Sequence, residues 1–337
     1  MRGKGIGALA AASVFALTGC SSGHYLAAQS TVSADTTFTY LLSTPAVSPD
    51  GSQIAWVDLT GVNKPLRVFV ARSDGSRIHG LGPRWPEGDG LGPIAWTGSG
   101  IVAESNFTFF LLSRTGRVTR IGPAGDIAFS VGGSRVASGT AGCGQGRCAG
   151  PLVVIHIHSK KQWRLGRPDQ WNWNPALSPN GKRVAWTSPD GILVSAVSGG
   201  TPQLLAGGGR CPEWSPDGRS IAYLSDNGSL RLVPPSGGAS KTVFRGAFGC
   251  PRWSPDSTHI AFEPGTRRSR LSIVNVNTHR VQRASPRLGM DGSIAWRPDG
   301  SHLYVSVNPR RAGSSCDELW LLRTATLRGK RLLNGCG

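Results

Sequence analysis

The sequence predicts an all-β chain, a seven-bladed β-propeller of four-stranded antiparallel blades, and three observations carry that prediction. A short motif recurs: an apolar step, a Ser-Pro-Asp-Gly turn, then residues that alternate in polarity. Its copies begin at residues 46, 95, 128, 176, 213, 252 and 295, spaced by 49, 33, 48, 37, 39 and 43 residues, near the ~40–45 of one propeller blade. The composition, with 47 Gly, 23 Pro and 39% hydrophobic residues, suits many tight turns around a large apolar body.

Taken in chain order, residues 1–19 read as a lipoprotein signal peptide. Arg2 and Lys4 give a positive start, and Ile6 to Leu17 form an apolar run too short to span a bilayer. Leu17-Thr18-Gly19-Cys20 resembles the bacterial lipobox, which implies acylation of the Cys20 sulfur and an exported chain held at the outer face of the cell membrane. Residues 20–35 are small and polar, a flexible tether. The propeller is expected over 36–337, with the strand-like segment 36–41 pairing with the last blade.

Five copies of the motif are clear, at 46–58, 176–188, 213–225, 252–264 and 295–307; those at 95–105 and 128–139 are weaker. Six blades stay open if one weak copy is an excursion. Pro presets the first corner of the turn, Asp or Asn suits the second, and Gly takes a positive φ. Asp50, Gly51, Asp217, Gly218, Asp256, Asp299 and Gly300 are therefore read as turn residues rather than catalytic ones. The Trp just before the turn is expected between blades. Alternation such as Ile221 and Tyr223 against Ser220 and Ala222 marks the second strand. Four strands per unit follow: 212–214, 220–224, 228–233 and 241–244 in the fifth, and 294–296, 302–307, 318–323 and 330–333 in the seventh. Such meanders bury both faces by stacking in a ring.

An even number of cysteines after Cys20 fits an oxidising compartment. The strand assignment pairs Cys316 with Cys336 on neighbouring antiparallel strands, and Cys143 with Cys148 across a small loop. Cys211 and Cys250 occupy one position in successive repeats, at the start of innermost strands, and are expected to join two blades.

The repeats Trp214-Ser215-Pro216-Asp217-Gly218 and Trp253-Ser254-Pro255-Asp256 resemble the repeat of TolB-like propellers, with partial copies at Ser48-Pro49-Asp50-Gly51, Ser178-Pro179-Asn180-Gly181 and Pro298-Asp299-Gly300. The resemblance implies the propeller fold over nearly all of the mature chain. It does not name a function, because such repeats occur in partner-binding TolB, in propellers attached to serine peptidases, and in lipoproteins.

Past the lipobox, where Gly19-Cys20-Ser21-Ser22-Gly23 matches by letters alone, no Gly-x-Ser-x-Gly elbow is present, which argues against a hydrolase of that kind. His156 and His158 share a strand face but fall short of a metal site. Trp171 and Trp173, in a loop before a first strand, are candidate ligand contacts, as are Glu213 and Arg252 at inner-strand positions; Trp85 is a weaker loop candidate. Without Arg2 and Lys4 the chain keeps 35 basic and 19 acidic residues, a net of +16. Arg spread singly among turns reads first as a solubilising surface, and for an exported chain the nearby polyanions are phospholipid head groups and wall polymers rather than nucleic acid.

The function expected is that of a binding or scaffold module for proteins, peptides or glycans of the cell envelope. It is expected to be monomeric, to need no cofactor, and not to be an enzyme. A propeller lyase or hydrolase acting at the channel, and an accessory or sensor subunit of an envelope system, are the alternatives.

Overall fold

The computed structural model describes residues 45–334 except 59–65, 86–90, 126–128, 140–141, 145–146, 266–269, 285–293 and 308–317. Blade one comprises β1 (Ala46–Val47), β2 (Gln53–Asp58), β3 (Leu66–Arg72) and β4 (His79–Trp85). Blade two follows as β5 (Leu91–Thr97), β6 (Gly100–Ser105), β7 (Thr108–Leu112) and β8 (Val118–Pro123). Blade three is β9 (Phe129–Gly132), β10 (Arg135–Ser138), β13 (Leu152–His156) and β14 (Gln162–Leu165), with the hairpin β11 (Gly142–Gly144) and β12 (Arg147–Ala149) inserted at its middle. Blade four is β15 (Trp173–Leu177), β16 (Arg183–Ser188), β17 (Gly191–Ala196) and β18 (Gln203–Gly207). Blade five is β19 (Arg210–Trp214), β20 (Ile221–Leu224), β21 (Ser229–Val233) and β22 (Lys241–Arg245). Blade six is β23 (Arg252–Trp253), β24 (His259–Phe262), β25 (Ser272–Asn275) and β26 (Val281–Arg283). Blade seven is β27 (Ile294–Trp296), β28 (His302–Val307), β29 (Glu318–Arg323) and β30 (Gly329–Asn334).

Every blade is an antiparallel meander, and the two weak repeats are full blades, so the count is seven. The innermost strands β1, β5, β9, β15, β19, β23 and β27 abut one another in turn, and β27 returns to β1, which closes the ring. Each blade is built from its own stretch of chain, with only the β11–β12 hairpin interrupting blade three. Tyr304 of β28 donates its hydroxyl to the Ser73 carbonyl of blade one (2.8 Å) across the closure, beside Ile54, Trp56 and Leu319. The segment 36–41 lies outside the described residues, as do Cys20, Cys316 and Cys336.

The apolar faces are buried between blades. Val184, Trp186, Leu152 and Val154 share one seam between blades three and four, and Ala176, Ile192, Val194, Trp214 and Tyr223 the next. The Trp before the turn fills these seams as expected, and its indole also ties them: Trp253 Nε1 donates to the Glu213 carbonyl and Trp296 Nε1 to the Arg252 carbonyl, both at 3.1 Å.

The turn motif does more than bend the chain. Ser215 Oγ donates to Asp217 Oδ1 (2.6 Å) and accepts the Ser220 amide (2.9 Å), while Asp217 accepts the Arg219 amide (3.0 Å). Ser48 with Asp50 and Ser254 with Asp256 repeat the arrangement. The hydroxyl and amide donors hold Asp50 down to about 2 and Asp217 and Asp299 below the usual carboxylate range. Gly51, Gly181, Gly218 and Gly300 take φ of 67–73° at the fourth position, as the turn requires.

Candidate functional site

A meander gives the ring two distinct ends. One, here the turn end, carries the turns between first and second and between third and fourth strands. The other, the loop end, carries the remaining connections. Each innermost strand runs from the loop end to the turn end.

One residue of each innermost strand occupies the same register, opposite the same residue of the second strand. These are Ala46, Ala95, Ser130, Ala176, Glu213, Arg252 and Ala295, each just before the motif's apolar residue. The strands converge here, so small side chains dominate. Ser130 uses the space to accept the Leu177 amide of the next blade (2.9 Å). Glu213 does likewise, accepting the Trp253 amide with Oε1 (3.4 Å), and Arg252 Nη1 stands 3.7 Å from its Oε2. A lone ion pair therefore sits in a ring of small residues beside the axis.

The pair is asymmetric. Arg252 is 43% exposed at its side chain and Glu213 25%, and Glu213 Oε2 is buried with no hydrogen-bond donor. Burial pushes Glu213 up to about 7, although Arg252 and the Trp253 amide pull the other way. A carboxyl that gains and loses its proton near neutrality thus stands next to a cation that reaches solvent.

Cys211 and Cys250 are disulfide-bonded just above this pair toward the loop end, with Cα atoms 5.4 Å apart. The bond ties β19 to the chain entering β23, as the repeat position implied. Phe248, 46% exposed, lies two residues before Cys250, and its amide donates to the Glu263 carbonyl (2.7 Å). Trp173 is 38% exposed and Phe107 55%, both at the loop end. Trp173 is the first residue of β15 rather than a loop residue, and its ring lies 5.0 Å from that of half-buried Trp171. Trp85 is not a loop contact either: it ends β4, is buried, and meets Phe110 edge-on at 4.8 Å.

Between Trp171 and Trp173 the sequence hid a structural residue. Asn172 is 1% exposed; its amide donates to the carbonyls of Gly150 (2.7 Å), Arg167 (3.0 Å) and Gln170 (3.1 Å), and its Oδ1 accepts Trp186 Nε1 (2.9 Å). Nothing in the repeat marks it; only its place between two aromatics in a Pro-bounded loop could have. Cys143 and Cys148 stand opposite each other in the β11–β12 hairpin. His156 and His158, rings 6.3 Å apart, contact Ser134 (3.0 Å) and Ser99 (2.9 Å).

No protein-family profile and no curated protein sequence matches this chain. Solved structures do. An oligogalacturonate lyase in complex with manganese aligns with a TM-score of 0.67 at 10% identity, over 85% of this chain and 96% of that one. A puromycin-hydrolyzing peptidase of Mycobacterium tuberculosis aligns at 0.65 and 15% identity over 89% of this chain, which spans 54% of the peptidase. TolB from Acinetobacter baumannii aligns at 0.49 and 13% identity, over 85% and 77% of the two chains. The expectation that the chain is not an enzyme is corrected here, because enzymes stand among the solved structures that share its fold. At these identities the likeness bears on the fold alone, and the chain's own sheets make that fold a seven-bladed β-propeller of four-stranded blades.

Proposed function

We propose that this chain is a cell-envelope propeller, anchored through acylated Cys20, that binds carboxylate-bearing peptides or glycans in its channel. The observation that carries the reading is the Glu213–Arg252 pair, a charged exception in a register of Ala and Ser, with its guanidinium open to solvent. Exposed Trp173 and Phe248 offer apolar faces at the loop end, on the far side of the Cys211–Cys250 disulfide from this pair, suited to a sugar ring or a peptide side chain. Cys143–Cys148 and Cys316–Cys336 complete the disulfide set in this reading.

Binding to arrays of acidic and neutral peptides and glycans tests it. Acidic probes should be captured, and Arg252→Ala should weaken capture at least tenfold, while Arg245→Ala on the outer strand β22 leaves it unchanged. Capture indifferent to Arg252→Ala would overturn the site. Loss of palmitate-analogue labelling on Cys20→Ala tests the anchor.

A second reading has a specific observation behind it. A carboxyl raised to about 7 beside an arginine has the proton affinity and the charge partner of a general acid–base group. Here the captured ligand is also turned over, with a rate that changes near pH 7. Glu213→Gln would then abolish turnover and keep binding; unaltered turnover would remove Glu213 from the chemistry.

A further inference from the structure

The two kinds of turn that meet at the turn end, counted with the strand residues bounding them, hold 15 Lys and Arg against five Asp. All five acids, Asp50, Asp74, Asp217, Asp256 and Asp299, belong to blades one, five, six and seven. In blades two, three and four the same turns carry seven Lys or Arg and no acid.

The fold does not require this distribution. In blade four Asn180 takes the place of Asp, accepting Ser178 Oγ (2.9 Å) and the Lys182 amide (3.0 Å), so the turn survives without its charge. Blades two and three replace the motif with Thr97-Gly98-Ser99-Gly100 and Val131-Gly132-Gly133-Ser134. The turns of blades five to seven carry six Lys or Arg, so the arc is set apart by its missing acids rather than by added cations.

The arc is continuous. Ser99 of blade two contacts His158 of blade three (2.9 Å), and a Cβ on Gly133 of blade three would stand 3.0 Å from the Asn180 carbonyl oxygen of blade four. Arg114, Arg117, Lys160, Lys161 and Lys182 are exposed. Arg135 and Arg183 are half-buried, their guanidiniums 5.2 Å above Trp163 and 5.6 Å above Trp214. On the other flank Gly116 of blade two packs against Gly82 of blade one, whose turn offers Ile78, 49% exposed, between Arg77 and His79.

We infer that this arc of blades one to four is a docking surface for an anionic lipid bilayer. Arg114 acts on Asp50 of blade one, and the Lys and Arg in excess of such acids are drawn to acidic head groups. An apolar side chain held out among them gains by entering the boundary between head groups and acyl chains, and gains nothing from a soluble polyanion. The inference rests on the exposed turn residues and uses neither Glu213 nor Arg252.

All strands and core clusters of the described residues fall within 46–334, so a chain starting at Ser21 keeps the ring and has no lipid of its own. Its co-sedimentation with vesicles of phosphatidylglycerol and phosphatidylcholine is compared with pure phosphatidylcholine. Binding is expected to the acidic vesicles alone and to fade as salt rises to about 0.5 M. The variant Arg114→Gln, Arg117→Gln, Lys160→Gln, Lys161→Gln should bind about a hundredfold more weakly. The variant Arg219→Gln, Lys241→Gln, Arg280→Gln, Arg328→Gln, with the same charge removed from blades five to seven, should stay within about threefold. Ile78→Ser should weaken vesicle binding and leave polyglutamate binding unchanged. Equal losses in the two fourfold variants, with unaltered circular dichroism, would overturn the arc in favour of net charge. Binding to polyglutamate without binding to vesicles would overturn it in favour of a soluble acidic partner.

Discussion

Asn172 is the residue whose loss should be felt most for its size. Its side chain bonds three carbonyls and one indole; truncation strips a partner from the Gly150 carbonyl and the Trp186 indole in buried bonds, while the Arg167 and Gln170 carbonyls keep backbone amides. Asn172→Ala is expected to cost about 2–4 kcal/mol in denaturant unfolding, whereas Trp173→Ala, at an exposed ring, should cost under about 1 kcal/mol. Glu213 acts on stability through pH. Its folded value, raised to about 7 from 4.5, means that the folded state holds its proton more tightly than the unfolded chain does. Stability is therefore lost as pH rises from about 4.5 to 7 and stays lost above that range. Glu213→Gln should stabilise the protein at pH 8 by roughly 2 kcal/mol, with little effect at pH 4, and equal effects at both would refute the assignment.

At the scale of the element, the Ser-Pro-Asp-Gly turn is one device used repeatedly. Its fourth residue sits at φ near +70°, where only Gly is unstrained. Gly218 has open space beyond its Cα, with Pro179 4.0 Å from an added Cβ, so Gly218→Ala reports backbone strain alone. A loss of about 1–2 kcal/mol is expected from thermal unfolding. Blade six tolerates Ser257 at this position, φ 60°, and its hydroxyl accepts the Asp217 amide of blade five (3.1 Å). Ser257→Gly relieves strain and deletes that bond, so its effect should fall within about 0.5 kcal/mol of zero. The motif's Pro, Asp and Gly were readable because turn chemistry is local. The serine was not, since its bond to an amide five residues on exists only once the second strand turns back.

The whole molecule is held by seams between blades. The closing seam depends on apolar contact and the Tyr304 bond, while the seam of blades five and six carries a disulfide across 39 residues of chain. Replacing Cys211 and Cys250 together by Ser should lower stability by about 2–4 kcal/mol, checked by unfolding with and without reductant. The reductant should leave the double variant's midpoint unmoved at this seam. Blade number, strand limits in the fifth and seventh blades, and this disulfide were all legible, because a repeat with fixed spacing converts one local pattern into a global one. Glu213 and Arg252 were visible only as unusual letters at an inner position.

What the sequence determined by itself is the ring: alternation and turn residues act over a few bonds, and sheets of that kind bury both faces only by stacking around an axis. What tertiary structure alone decided is the meaning of the exceptions. Burial raised one carboxylate toward neutrality, hid Asn172 and placed Trp85 inside, and the ring set side by side three blades whose turns carry cations and no acid. Each of these depends on distances between residues tens of positions apart, which no local pattern encodes.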